Sequence, residues 1–188
     1  MSELKEIRLF TTSIFTIDID PGVDMVSIVK DLEASGESKP PASNSGGWQS
    51  AKKNYTSIEE IQPFLDTVTL ATSKIYEAYA VDKKAVLSEY WFNLNRNKDF
   101  NWPHTHPHSF FSAVFYIKYP PDSGKIVFDR PDPLNDWIKF KSVNERNAPT
   151  LTVEPKSNML LIFPSYYRHK VDQNLTDEER ITMAFNYR

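Results

Sequence analysis

The sequence predicts a mainly β fold, a sandwich or barrel of short strands with helices packed on its outside. Two observations favour this class. From residue 84 onward, short segments rich in β-branched and aromatic residues are separated by Pro, Gly, Asn and Asp turn signals. Before that point, apolar residues recur at helical spacing. With 188 residues, the chain has the length of one domain with a substantial core.

The N-terminal third is predicted to hold strand segments and two helices. The second helix begins with Ser57 and Glu60, which have the spacing of a capping box, and Pro63 falls in its early turns. In chain order, the predicted elements are strand segments at 7–19, a short amphipathic helix at 21–35 that ends at Gly36, a loop at 36–50 and a long helix at 56–81.

The rest of the chain is predicted to be strands. Each segment has high β propensity and is bounded by turn residues. The predicted strands are 84–96, 109–119, 124–130, 150–155, 158–165, 167–173 and 180–188. We find no internal repeat, and the pattern does not favour a second domain.

Composition and charge exclude several function classes. The net charge is −3 with no long basic block, which argues against nucleic-acid and anionic-membrane partners. The absence of cysteine excludes disulfides, thiolate metal sites and cysteine nucleophiles. No signal-peptide stretch opens the sequence, and no apolar run approaches the ~18 residues of a membrane helix. We therefore expect a cytoplasmic protein, whose oligomeric state the sequence does not indicate.

Three of the four histidines lie within five positions, in the stretch NWPHTHPHSFFSAVFYI at residues 101–117. Because residues i and i+2 of a strand face the same side, either His104 with His106 or His106 with His108 could aim two imidazoles at one point. Imidazole suits Fe, Zn, Cu and Ni, and such sites draw a third ligand from elsewhere in the fold. His169, the remaining histidine, is predicted to begin a strand and is the candidate for that ligand.

Arg180 and Thr182 form a second candidate site on the last predicted strand. Their spacing places both side chains on one face of the strand. A guanidinium matches a carboxylate in a bidentate manner, and a hydroxyl two residues further on can donate another hydrogen bond. The pair is therefore suited to holding a carboxylate-bearing small molecule.

Together these motifs resemble a known enzyme family. The stretches NLNRNKDFNWPHTHPHSFFSAVFYIKYPPDSGKIVF, KSNMLLIFPSYYRHKVDQNLTDEERITMAFN and GGWQS resemble the 2OG-Fe(II) oxygenase family related to prolyl hydroxylases, common in marine bacteria and their phages. The resemblance covers roughly residues 45–188. It implies a double-stranded β-helix (a cupin-like jelly roll), with one oxygenase-like domain over 1–188. Within it, the strand and helices of 1–83 would pack on a jelly-roll core at 84–188.

The resemblance also implies cofactors and a reaction. The enzyme would be an Fe(II)- and 2-oxoglutarate-dependent dioxygenase, most simply a hydroxylase, acting on a peptidyl or small-molecule substrate. Arg180 and Thr182 would hold the distal carboxylate of 2-oxoglutarate. The metal ligands would be His104, His106 and His169, although most of the superfamily has His-x-Asp/Glu where this chain has His-x-His. His108 in place of His104 stays an alternative.

Four further side chains are candidates for the cavity. Asn93 shares a strand face with Trp91 and Asn95, and a buried amide there must be hydrogen-bonded. We expect Asn93 and Tyr116 to contact 2-oxoglutarate. The candidates for substrate contact are Trp48 of the GGWQS stretch and His108.

Two rival functions remain open at this point. The first is a cupin-like enzyme that uses its histidine-bound metal without 2-oxoglutarate. The second is a non-catalytic jelly-roll binding module whose histidines hold zinc or nothing.

Overall fold

A computed structural model describes residues 5, 12–39, 43–132 and 134–188 of the chain. The strand segments predicted at 7–19 fall partly outside this part of the chain, because residues 6–11 are not among the described ones. Within it, the structure contains helices α1 (Met25–Ala34), α2 (Gln62–Ala78) and α3 (Leu134–Trp137), and the 3₁₀ turn Glu59–Ile61.

The strands are short, and each strand predicted from residue 84 onward is present among them. Their bounds are β1 (Phe15–Asp18), β2 (Asn44–Ser45), β3 (Trp48–Gln49), β4 (Leu87–Asn95), β5 (Phe100–His104), β6 (Phe111–Lys118), β7 (Ile126–Asp129), β8 (Thr150–Val153), β9 (Met159–Pro164), β10 (His169–Val171) and β11 (Arg180–Tyr187).

In the described residues, these strands form two antiparallel sheets. The major sheet has the order β1-β9-β6-β11-β4-β3, and the minor sheet has the order β2-β5-β10-β7-β8. Successive strands of the chain after β4 alternate between the two sheets, except for the hairpin β7–β8. Two sheets wound in this way form the jelly-roll type of β fold, so the predicted mainly β class with outer helices is confirmed.

Helices α1 and α2 cover the outer face of the major sheet. Alternate residues of the central strands, such as Phe92, Phe115 and Phe185, pack there against Phe64 and Leu65 of α2. The rings of Phe64 and Phe115 have a centroid separation of 4.7 Å. Because burial of apolar area is the main favourable term in folding, this layer is the principal source of stability.

The inner face of the major sheet faces the minor sheet. Phe128 of β7 packs there against Phe163 of β9, with ring centroids 5.1 Å apart. Tyr116, Ile126 and Leu161 complete the larger part of this second apolar cluster. The remaining space between the sheets is lined by polar side chains and is described below.

Helix α2 begins later than predicted. Residues 59–61 form a 3₁₀ turn, and the α-helix begins at Gln62 with Pro63 in its first turn. Proline has no backbone N–H to donate and is favoured at the first helical positions. The predicted capping box is therefore wrong, and Ser57 instead accepts a hydrogen bond from the backbone N–H of Asn54.

Two regions contain strands that the sequence did not reveal. The predicted loop 36–50 contains β2 and β3, which pair with β5 and β4 respectively. Residues 100–104 form β5, a segment that is not among the predicted strands and contains a proline and several polar residues. β2 and β3 are two-residue edge strands, whereas β5 pairs with β2 and β10 inside the minor sheet; in both regions tertiary context outweighs local propensity. Among the described helices, none has the length and apolar character of a membrane span.

We expect Phe115→Ala to lower the free energy of unfolding by about 3–5 kcal/mol, because it removes a fully buried ring at the contact between α2 and the major sheet. Urea unfolding monitored by circular dichroism measures the change. Phe140→Ala, the same substitution at a ring that is 40% exposed, is the control and should cost much less. Equal losses in the two variants would contradict this description of the core.

Candidate metal and cosubstrate site

Antiparallel pairing of β5 with β10 brings two distant histidines together. His104 ends β5, His169 begins β10, and the two residues are directly opposite in the register. His106 follows two residues after the end of β5, where its backbone N–H donates to the Ser165 carbonyl at 3.0 Å. The loop that follows β9 thus holds His106 near the other two residues.

The three imidazoles form a compact triad. One ring nitrogen from each of His104, His106 and His169 lies within 4.8 Å of the others. The ring centroids of His169 are 4.3 Å from His104 and 5.2 Å from His106. His108 is exposed in the following turn with φ of 68°, and it is not part of the triad. Of the two histidine pairs that the sequence left open, the geometry therefore favours His104 with His106.

Backbone carbonyls orient two of these rings. The Nδ1 atom of His104 lies 2.7 Å from the Trp102 oxygen, and that of His169 lies 2.9 Å from the Tyr167 oxygen. A carbonyl oxygen can only accept, so each Nδ1 carries the proton and each Nε2 presents a lone pair. This orienting contact is the usual second partner of a metal-binding imidazole.

Burial keeps the triad neutral. It lowers the pKa of His104, and it lowers the pKa of His106 to about 4 and that of His169 to about 3. Repulsion among the three rings adds to the effect for His106 and His169. Because only neutral imidazole binds a metal, the triad needs no deprotonation at neutral pH to act as a ligand set.

The triad borders a cavity of about 310 Å³ between the two sheets. Strand alternation determines its lining, because the even-numbered residues of β11 and the odd-numbered residues of β4 face inward. These inward residues are Arg180, Thr182, Ala184 and Asn186 of β11, and Glu89, Trp91, Asn93 and Asn95 of β4. Thr182 lies opposite both Asn93 of β4 and Tyr116 of β6, and both of these side chains also line the cavity.

Arg180 is a buried cation without a carboxylate partner. Its side chain is 1% exposed, and its Nη1 donates to the backbone carbonyls of Ser123, Gly124 and Asp172. In the described part of the chain, Nη2 has no hydrogen-bond partner and no acidic side chain forms an ion pair with Arg180. Burial accordingly lowers the pKa of this guanidinium. A buried cation of this kind needs an anion to compensate it.

The Trp48 side chain lies outside the cavity. Its ring packs against the core under the major sheet, its Nε1 donates to the Glu37 carbonyl at 2.6 Å, and it does not line the cavity. The prediction that Trp48 contacts substrate therefore has no support in this geometry. Its neighbour Gln49 lines the cavity instead, because adjacent residues of a strand face opposite sides.

An ion pair at the rim of the cavity was not predicted from the sequence. Lys52 and Glu89 form an ion pair at 2.5 Å, and the Lys52 Nζ lies 5.5 Å from the centre of the Trp91 ring. Asn186 also faces the cavity from the end of β11. The strand pattern could have indicated Glu89 and Asn186, because each shares a face with a predicted site residue, whereas no local signal marks Lys52.

Comparison with known families finds a match to the region that holds the site. The sequence profile of the family described as "Putative 2OG-Fe(II) oxygenase" matches residues 89–186, just over half of the chain. This segment contains the histidine triad and both Arg180 and Thr182. No curated protein sequence is significantly similar to the chain.

Several solved structures share the fold. A prolyl-4-hydroxylase from Pseudomonas putida has 17% identity and a TM-score of 0.70, with 95% of this chain and 93% of that chain covered. HygX from Streptomyces hygroscopicus, solved with nickel, 2-oxoglutarate and hygromycin B, has 15% identity and a TM-score of 0.65, with 94% and 83% covered. A Trichoplax adhaerens prolyl hydroxylase in complex with a peptide fragment of hypoxia inducible factor has 12% identity and a TM-score of 0.64, with 94% and 84% covered.

The lowered histidine pKa values predict a pH dependence for the metal-free protein. Imidazole has a pKa of about 6.5 in an unfolded chain, so between that pH and about 4 the unfolded state binds more protons than the folded state. The free energy of unfolding should therefore fall as the pH is lowered from 7 to 5. Urea titrations in the presence of a chelator measure it, and His169→Gln should reduce the slope. Equal slopes in wild type and variant would contradict the neutral, buried triad.

Proposed function

The chain belongs to the 2OG-Fe(II) oxygenase family, and from this premise we propose that it is a hydroxylase with a three-histidine iron site. His104, His106 and His169 would hold Fe(II), and Arg180 with Thr182 would hold 2-oxoglutarate. When bound, the iron and 2-oxoglutarate activate dioxygen, so that one oxygen atom hydroxylates a substrate C–H bond and the other enters succinate as CO₂ is released. The protein itself supplies binding, orientation and a site shielded from water.

The donor set of the triad fits Fe(II). Three neutral imidazoles converge within 4.8 Å, and at least two of them present Nε2 lone pairs. Imidazole is a common ligand of non-heme iron. Because the three histidines line the cavity, a metal held by them would have room beside it for a chelating cosubstrate.

The single observation that carries the proposal is the environment of Arg180. Its unpartnered Nη2 is a fully buried donor with a positive charge, on a strand face that leads to the triad. A bound carboxylate would accept a hydrogen bond from Nη2. It would also compensate the buried positive charge of Arg180. The inward hydroxyl of Thr182 lies two residues along the same face and supplies a further donor.

Asn93 and Tyr116 complete the proposed cosubstrate pocket. Both flank Thr182 in the register, and the Asn93 Nδ2 lies 3.5 Å from the Thr182 hydroxyl. Tyr116 is fully buried, and burial raises its pKa, so its hydroxyl stays a neutral donor. Each can therefore donate a hydrogen bond to an oxygen of 2-oxoglutarate.

The substrate is proposed to enter at the rim next to His106. The rim carries Lys52, Glu89 and Pro107, and His108 follows Pro107 on the exposed turn. We propose that His108 contacts the substrate from there. One structural relative is named a prolyl-4-hydroxylase, and another was solved with hygromycin B bound. Both a peptidyl residue and a small molecule are therefore candidate substrates.

Metal binding should depend on the triad and not on the fourth histidine. His106→Ala removes one of three ligands, so we expect the dissociation constant for Co(II), used as an air-stable substitute for Fe(II), to rise at least 10-fold. His108→Ala is the matched control and should leave metal affinity unchanged. Isothermal titration calorimetry measures both. If His108→Ala weakened binding more than His106→Ala, the ligand assignment would be wrong.

Cosubstrate binding should depend on Arg180. Arg180→Ala removes a buried, charge-assisted contact, so we expect the affinity for 2-oxoglutarate to fall by about 100-fold or more. Anaerobic titration with Fe(II) and 2-oxoglutarate should give a weak visible charge-transfer band in wild type that this variant lacks. Arg168→Ala, which removes an exposed arginine paired with Asp129, is the control. A wild-type protein that binds metal without developing the band would favour the rival enzyme that does not use 2-oxoglutarate.

A further inference from the structure

Two buried nitrogen atoms in the described part of the chain lack a hydrogen-bond partner. The buried side-chain atoms without a partner there are hydroxyl oxygens, with two exceptions, Asn95 Nδ2 and Arg180 Nη2. A hydroxyl can donate or accept, whereas an amide or guanidinium nitrogen can only donate. Asn95 and Arg180 are each 1% exposed, and both line the cavity. Both nitrogens therefore need an acceptor at the cavity.

The sheet register places these two donors next to each other. Asn95 of β4 is directly opposite Arg180 of β11. In an antiparallel pair, the Cβ atoms of directly opposite residues are about 4.5–5.5 Å apart on the same face of the sheet. One small acceptor group in the cavity can therefore be within reach of both side chains.

A glycine turn covers the Asn95 amide. Gly46 and Gly47 connect β2 to β3 and have φ values of 75° and 73°. A Cβ atom at Gly47 would lie 2.8 Å from Asn95 Nδ2 and 2.8 Å from the Leu94 carbonyl oxygen, so the turn can pack this closely only because glycine has no side chain. The turn helps to keep the amide away from solvent, and a buried donor without an acceptor is costly.

The acidic residues that adjoin these side chains are engaged elsewhere. Asp172 offers Arg180 its backbone carbonyl, while its carboxylate lies 2.9 Å from the Lys170 Nζ. The Asp99 carboxylate accepts from the backbone N–H of Arg96 at 2.6 Å. The described residues therefore supply no acceptor for either unpartnered nitrogen.

The position of the two donors along the cavity wall fits the far end of the cosubstrate. Trp91 stacks on His106 of the triad, with ring centroids 5.9 Å apart. Asn93 and then Asn95 follow at successive inward positions of β4. A cosubstrate that lies between the triad and Arg180 would therefore bring its distal carboxylate to Asn95 as well.

We propose that Asn95 binds the distal carboxylate of the cosubstrate, donating from Nδ2 while Arg180 donates from Nη2. The proposal rests on the proposed function, in which Arg180 holds that carboxylate. It adds a donor from a second strand, which the Arg-x-Thr motif does not contain. A carboxylate can only accept, and its two oxygens have enough lone pairs for both nitrogens and the Thr182 hydroxyl.

The first test measures cosubstrate affinity by isothermal titration calorimetry with Co(II)-loaded protein. Asn95→Leu keeps the approximate shape of the side chain and removes the donor, so the dissociation constant for 2-oxoglutarate should rise by about 10-fold or more. Asn97→Leu, the same change at an exposed position of the same segment, is the control and should leave it unchanged. The affinity for 2-oxopentanoate, which has no distal carboxylate, should be equal in wild type and Asn95→Leu. Equal losses for the two keto acids would overturn the proposal.

The second test uses Asn95→Asp, which places a carboxylate beside Arg180 within the protein itself. This carboxylate would compensate the guanidinium and repel the cosubstrate, so we expect a higher melting temperature without ligands and a loss of 2-oxoglutarate affinity of about 100-fold or more. Asn97→Asp is the charge-matched control and should change neither quantity. A residue with a purely structural role would not give these opposite effects on stability and affinity.

The outcomes separate the two proposals. If wild type does not bind 2-oxoglutarate, or Arg180→Ala binds it as tightly as wild type, the proposed cosubstrate site is overturned together with the role of Asn95. If Arg180→Ala loses affinity while Asn95→Leu keeps that of wild type, only the role of Asn95 is overturned, and a buried water is then the acceptor for its amide. Should Asn95→Leu fail to fold, Asn95→Asp decides, and wild-type affinity in that variant would overturn the proposal.

Discussion

The antiparallel register between β5 and β10 is the constraint on which the site depends. It places His104 directly opposite His169, two residues that are far apart in the sequence. Because side chains alternate across a strand, a slip of one residue would turn one imidazole to the outer face of the sheet. Pairing of β10 with β7 on its other side, where Phe128 is opposite His169, opposes such a slip. The arrangement of His104 and His169 is therefore a property of the sheet, and a loop contributes His106 to the triad.

The same alternation makes the major sheet both a core and a wall of the site. On β4, Phe92 and Leu94 pack under the helices while Trp91 and Asn93 face the cavity. On β11, Arg180 and its inward neighbours alternate with residues of the main core in the same way. The packing of α2 against this sheet therefore holds the cavity wall rigid. Rigid elements position binding groups more closely than loops do.

The sequence predicted the parts of the site that are encoded by local spacing. The shared face of Arg180 and Thr182 follows from the strand period of two, whereas His106 lies beyond the end of β5 and is positioned by a loop; the structure nevertheless brings the predicted histidines, Arg180 and Thr182 to one cavity. It could not choose between His104 and His108, because that choice depends on where β5 ends. Lys52 was missed for a similar reason, since only the pairing of distant segments brings it to the rim.

The charges around the histidine triad and around Arg180 favour the same kind of ligand. Three neutral imidazoles would leave the charge of Fe(II) uncompensated by the protein, and Arg180 adds a buried positive charge further along the same wall. Of the described residues that line the cavity, the acidic one, Glu89, is already paired with Lys52. The described lining of the cavity thus has no acidic side chain beside the triad that is free to compensate a metal ion, and none paired with Arg180. A dianion such as 2-oxoglutarate would compensate the metal with one carboxylate and Arg180 with the other. With the proposed His106 ligand in place of a carboxylate, the electrostatic attraction between the site and such a dianion would be stronger.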